Sequence, residues 1–135
     1  MEAGLSLTIL YVADLARAAA FYDAAFGFYK NIDLPQYVEY QLNAGACLGL
    51  MPQGNTRHFL GEERGARRPA DGCPRGEVYL LVDDVKAAAA RLLAAGAECT
   101  SPLAQRDWGD RAAYFLDHDG YVVAVAQPAG EKRLT

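Results

Sequence analysis

Residues 7–15 read LTILYVADL, and residues 77–85 read EVYLLVDDV. Seventy positions apart, the chain says the same thing twice: an apolar run, a valine, then an aspartate and an aliphatic residue that open an alanine-rich stretch. Each run is short and rich in β-compatible residues, which predicts strands over Leu5–Val12 and Val78–Val82. Asp14 and Asp84 then stand where a carboxylate accepts from the free N–H groups of a helix start. Leu15, Ala18, Ala19, Tyr22 and Phe26 recur at helical spacing, as do Val85, Ala88, Ala89 and Leu92. Gly27 and Gly96 are placed to stop the two helices.

Three further strands follow each helix. In the first copy they are expected at Phe28–Ile32, Tyr37–Leu42 and Ala46–Met51, with NAG (43–45) as hairpin punctuation. In the second they are expected at Ala97–Thr100, Arg111–Leu116 and Tyr121–Gln127, with DHDG (117–120) as a tight turn. One copy alone would leave a sheet face bare, so two copies must pack together. The expectation is an α+β fold made of two tandem βαβββ modules, 1–51 and 77–128, in one structural domain. A linker (52–76) joins them and a tail (129–135) follows. That linker carries Arg57, Arg64, Arg67, Arg68 and Arg75. It reads either as a solvated connection or as a flap that brings guanidinium groups to an anionic ligand.

The bulk numbers bound the partners. A length of 135 residues suits one compact unit or two half-sized modules, and 52% apolar with 22% charged residues is ordinary globular composition. The net charge of -4 gives no electrostatic reason to expect nucleic acid. No apolar run approaches the ~20 residues that span a bilayer, and MEAGLSL lacks a basic region and a cleavage pattern. A soluble cytoplasmic protein is expected, with no nucleic-acid or membrane partner. Cys47, Cys73 and Cys99 have no CxxC spacing and read as reduced thiols.

YVADLARAAAFYDAAFGF (11–28) and WGDRAAYFLDHDGYVVAV (108–125) resemble the opening and closing motifs of the vicinal oxygen chelate superfamily. It includes glyoxalases, extradiol dioxygenases, and fosfomycin- and bleomycin-resistance proteins. The resemblance covers residues 5–128. It implies paired βαβββ modules whose mixed sheets curl into a cup, often completed by dimerisation. Enzymes of this family hold a divalent metal in the cup with up to four His, Glu or Gln side chains from the first and last strands of each module. Those positions fall here at Leu7, Gly49, Glu77 and Ala124. Leu7 and Ala124 have no donor atom and Gly49 offers only its backbone, so a single carboxylate is left to face a dication that water holds better. A slip of one residue offers Thr8 and Leu48, Gly76 or Val78, and Val123 or Val125. The two histidines, His58 and His118, lie in the linker and a turn. The expectation is a cup without the family metal and without any cofactor.

Alternation along the strands puts Ile9 and Tyr11 on the face of Leu7, and Cys47 and Met51 on that of Gly49. It puts Tyr79 and Leu81 with Glu77, and Val122 and Ala126 with Ala124. The candidate ligand-binding residues are therefore Leu7, Ile9, Tyr11, Gly49, Met51, Glu77, Tyr79 and Ala124, with Trp108 and Arg111 added. Glu77 reads as a strand acid reaching solvent, as a carboxylate pairing with a cationic or amide-bearing ligand, or as a general base. If it is enclosed it needs a partner, and Arg111 is one choice. Trp108 reads as an edge plug of the core or as a ligand contact, by resemblance to a Trp-Gly pair in resistance-type members. Tyr40 and Tyr114 read as core or cup residues.

The first functional reading follows the bleomycin-resistance branch. It is a homodimeric binding protein that sequesters a planar or aromatic natural product, with an antibiotic-resistance role implied by the resemblance. The alternative is a metal-independent, glyoxalase-like lyase or isomerase with Glu77 as catalytic base, a group worth about 10²–10⁴-fold. A regulatory module without a small ligand is the third.

Overall fold

In the computed structural model, which describes residues 1–66 and 74–129, strand–helix–strand–strand–strand occurs twice. The first copy is β1 (Ser6–Val12), α1 (Leu15–Ala25), β2 (Tyr29–Leu34), β3 (Tyr37–Asn43) and β4 (Ala46–Pro52). A 3-10 turn (Gln53–Thr56) and two short helices, α2 (Arg57–Leu60) and α3 (Glu62–Gly65), come next. The second copy is β5 (Glu77–Leu81), α4 (Val85–Ala94), β6 (Glu98–Gln105), β7 (Asp110–Leu116) and β8 (Val122–Pro128). The chain divides into two compact units, one on each copy, with Ala24–Phe26 counted with the second.

Both sheets have the same order, β1-β4-β3-β2 and β5-β8-β7-β6. In each, the first strand runs parallel to the last and the other pairs are antiparallel. Parallel pairing of β1 with β4 needs a crossover, and the helix and hairpin between them provide it.

In the first unit the sheet buries Leu10, Val12, Val38, Tyr40, Leu48 and Leu50, and α1 buries Ala18, Ala19, Phe21 and Tyr22. Tyr40 settles as core: its hydroxyl donates to the Ala19 carbonyl (3.1 Å) and to Asp23 Oδ1 (2.9 Å), and its ring tilts against Tyr22. In the second unit α4 lies on β6, β7 and β8. Val85, Leu92, Phe115, Val123 and Val125 are buried there. Both caps form as expected, with Asp14 Oδ1 accepting from Arg17 N and Asp84 Oδ1 from Ala87 N.

Two segments differ from the sequence expectation. Strand β6 runs on through Pro102 to Gln105, well past Thr100. It is an edge strand with register shifts on both sides of Ser101, a setting that tolerates the missing proline N–H. Part of the linker is helical, and Gly65 packs so tightly that a Cβ there would lie 2.6 Å from Arg57 Cα. Arg67, Arg68 and Cys73, together with residues 130–135 of the tail, lie outside the described residues.

Candidate functional site

Each sheet has one face toward its helix and one away from it, and the strand candidates other than Arg111 gather on the second kind. In the first unit, register pairs Leu7 with Cys47, Ile9 with Gly49 and Tyr11 with Met51, so these six share a face. Across β3, Glu39 pairs with Gly49 and Gln41 with Cys47. Leu7 and Tyr11 are 42% and 36% exposed. Tyr11 also meets Phe59 of α2, with ring centroids 6.2 Å apart.

This face is more polar than expected. Asn31 sits in a β-bulge between Lys30 and Ile32, which turns its side chain onto the sheet. Its Nδ2 donates to Gln41 Oε1 (2.7 Å) and Glu39 Oε2 (3.2 Å). Tyr37 donates to Glu39 Oε1 at 2.8 Å, and the Cys47 thiol donates to Gln41 Oε1 at 3.3 Å. Burial, and then the adjacent Glu39 carboxylate, push the Tyr37 phenol well above the usual tyrosine range. Sequence reasoning passed over Tyr37, Glu39 and Gln41, although strict alternation with Val38, Tyr40 and Leu42 marks them as one polar face. Asn31 carries no such signal, because a bulge breaks the period. Gly49 is one of the candidate ligand-binding residues, and the space that a side chain there would need holds the ring of Tyr37, whose hydroxyl stands 2.5 Å from where a Cβ would be.

In the second unit Tyr79 pairs with Ala124, and Ala124 with Tyr114, so the two tyrosines flank an alanine. Their ring centroids are 6.5 Å apart with planes tilted by 56°. Tyr79 donates to Asp110 Oδ2 (2.6 Å), and Trp108 Nε1 donates to the Tyr79 hydroxyl (2.9 Å). Asp110 is buried while Trp108 is 51% exposed, so a buried carboxylate anchors an exposed indole through one phenol. Gly109, at φ 98°, makes the turn that presents Trp108, a conformation that only glycine adopts without strain. Arg106 places its guanidinium 5.3 Å from the centroid of Tyr114 and donates to Ser101 Oγ and to the carbonyls of Pro102 and Ala112. It holds the ring and the β6–β7 hairpin together. Asp110 and Arg106 were not singled out from sequence: the tyrosine that Asp110 holds lies on β5, and Arg106 reaches Tyr114 and the Ala112 carbonyl across the hairpin.

Glu77 is exposed at the start of β5, so it does not need the partner that enclosure would demand. Its charge reaches Tyr114, whose phenol is raised first by burial, then by Glu77, against an opposing effect of Arg106. Arg111 is no partner for Glu77. Register pairs it with Gln127, whose side chain accepts from Val85 N on the helix side, so Arg111 belongs to the opposite face. The residues at the inherited ligand positions do not fit a dication: Leu7 pairs with Cys47 and Glu77 with Val122, and Glu77 is the one side-chain oxygen donor among the four positions. Among the described residues, no three His, Cys, Asp or Glu side chains gather as a metal site.

The family model for the Glyoxalase/Bleomycin resistance protein/Dioxygenase superfamily matches residues 4–125. A glyoxalase/bleomycin resistance protein/dioxygenase family enzyme from Burkholderia phytofirmans PsJN has a similar structure, with TM-score 0.80 and 19% identity over 93% of this chain and 99% of that one. Lactoylglutathione lyase from Agrobacterium tumefaciens aligns with TM-score 0.69 and 25% identity over 93% and 94%. TioX from Micromonospora sp. ML1 aligns with TM-score 0.68 and 20% identity over 93% and 99%. No curated protein matches the sequence.

Proposed function

The chain belongs to the glyoxalase/bleomycin resistance protein/dioxygenase superfamily, and from that premise we propose that it is a metal-free binding protein for a planar, aromatic organic molecule. One observation carries the reading: the hydrogen-bonded chain Trp108–Tyr79–Asp110, which fixes an exposed indole beside two tyrosine rings. A large apolar side chain exposed to water is stable enough when single, but here it is also held in place. An indole already fixed loses little freedom when a flat ligand stacks on it, so more of the contact energy reaches affinity. Tyr79, Tyr114, Trp108 and the small Ala124 between the tyrosines are the binding residues in this reading.

Trp108 is the sole tryptophan, so its emission reports this face alone. Titration with a panel of planar aromatic natural products is expected to give saturable quenching with at least one. The same ligand is expected to raise the apparent melting temperature, since it binds only the folded chain. Trp108→Ala should abolish the rise and Glu77→Gln should leave it. A panel that neither quenches Trp108 nor raises the melting temperature would overturn the reading.

The rival is a metal-independent lyase or isomerase using Glu77, favoured by the effect of its carboxylate on the phenol of Tyr114. There, Glu77→Gln should abolish turnover and spare binding. A homodimer in the cytoplasm is part of the first reading, and sedimentation velocity tests the dimer. No described helix is long and apolar enough to cross a membrane.

A further inference from the structure

Glu39, on the first unit, is a carboxylate with fixed oxygens and no cation beside it among the described residues. It stands between Tyr37 and Gln41 on β3, next to Gly49 and Ile9 in register. Tyr37 donates to one of its oxygens and Asn31 to the other, at 2.8 and 3.2 Å. Both donors are neutral. Glu39 makes no ion pair among the described residues. Lys30, on the neighbouring strand, is turned to the opposite face, where it pairs with Asp23 at 2.9 Å and Asp33 at 3.7 Å.

Two neutral hydrogen bonds orient a carboxylate without neutralising it. Each oxygen still has a lone pair to give. Covering such a group with an apolar ligand would strip its remaining water and leave the charge uncompensated. Covering it with a group that donates charged N–H bonds replaces that water with shorter, stronger contacts. The planar pair of oxygens suits an amidinium or guanidinium, which donates two parallel N–H bonds. Ile9, Met51 and the partly exposed Leu7 and Tyr11 share the face and offer contact for the body of such a molecule.

We propose that this face of the first unit is a subsite for an organic cation with N–H donors, an amidinium or guanidinium, anchored on Glu39. Tyr37 and Asn31 are its positioning residues. Every residue of this subsite belongs to the first unit, and its test does not read Trp108.

The chain has two methionines, Met1 and Met51, so methyl-labelled methionine gives one resonance on this face. Benzamidine and its neutral isostere benzamide serve as probes. The Met51 methyl is expected to shift saturably with benzamidine, with benzamide binding at least tenfold more weakly. Glu39→Gln should bring the two probes to equal affinity. Tyr37→Phe should weaken benzamidine severalfold while benzamide is unchanged. Equal shifts from the two probes in the unmodified protein, or no saturable shift of Met51, would overturn the proposal without recourse to any variant. Full benzamidine affinity in a folded Glu39→Gln protein would do the same. Trp108 emission, read in the same samples, tests the second unit separately.

Discussion

The ring of Tyr37 occupies the space that a side chain at position 49 would need, with its hydroxyl 2.5 Å and its Cε1 2.9 Å from a Cβ built on Gly49. Gly49→Ala must therefore push the ring away, and the ring cannot move without loosening its 2.8 Å bond to Glu39. Overpacking of this kind costs about 1–3 kcal/mol. Chemical denaturation should show that loss, and Tyr37→Ala should remove most of it. In the Tyr37→Ala background Gly49→Ala is expected to be near neutral, a coupling of about 0.5–3 kcal/mol in a double-mutant cycle. Additive effects would mean that the ring does not fill this space.

That relationship also marks where the sequence stops being legible. The repeat of LTILYVADL and EVYLLVDDV, with its caps and stops, is local, and both modules could be read from it. The face shared by Leu7, Ile9 and Tyr11 followed from alternation alone. What lies beside that face did not. Tyr37 and Glu39 reach Gly49 because β3 pairs with β4, and pairing is a long-range choice. Trp108 was conspicuous beside Gly109, but the hydroxyl that holds it comes from Tyr79, on a strand far back in the chain. Arg111 looked available to Glu77, and one residue of register puts it on the other face.

Tyr79→Phe removes a single oxygen and breaks two hydrogen bonds, one to Asp110 and one from Trp108. Asp110 is only 2% exposed, so it loses a donor that water does not readily replace. The expected cost is about 1–3 kcal/mol. Trp108, already at the surface, should lose orientation rather than energy. Its emission anisotropy is expected to fall and its spectrum to shift to the red. An unchanged melting temperature with unchanged Trp108 emission would show that the chain does not hold the indole.

Glu77→Gln should leave stability within about 0.5 kcal/mol, as for other exposed positions without a structural role. It should still lower the pKa of the Tyr114 phenol, because the Glu77 charge is one of the causes that raise it. Tyrosine-ring carbon shifts followed against pH measure this directly. The same position bears on metal binding. With one carboxylate among Leu7, Gly49, Glu77 and Ala124, zinc, nickel or manganese should give no dose-dependent rise in melting temperature. A rise abolished by Glu77→Gln would place a dication there.

Alkaline pH should unfold the protein through its buried phenols. Tyr40 is held above its ordinary 10.0 first by burial and then by its bond to Asp23, and Tyr37 is raised likewise by burial and Glu39. A raised pKa means that the folded state holds its proton where the unfolded state has released it. The stabilisation is complete below pH 10.0 and is lost as pH climbs toward the folded value. Lys30, raised chiefly by its hydrogen bond to Asp23, acts in the same direction. The slope approaches about 1.4 kcal/mol per pH unit for one phenol that stays fully protonated in the folded state. Tyr40→Phe should be less stable at neutral pH, since the Asp23 and Ala19 contacts go. Above pH 10.0 its stability should fall less steeply than that of the unmodified chain. Parallel alkaline slopes for the two proteins would show that Tyr40 keeps no proton that the unfolded chain gives up.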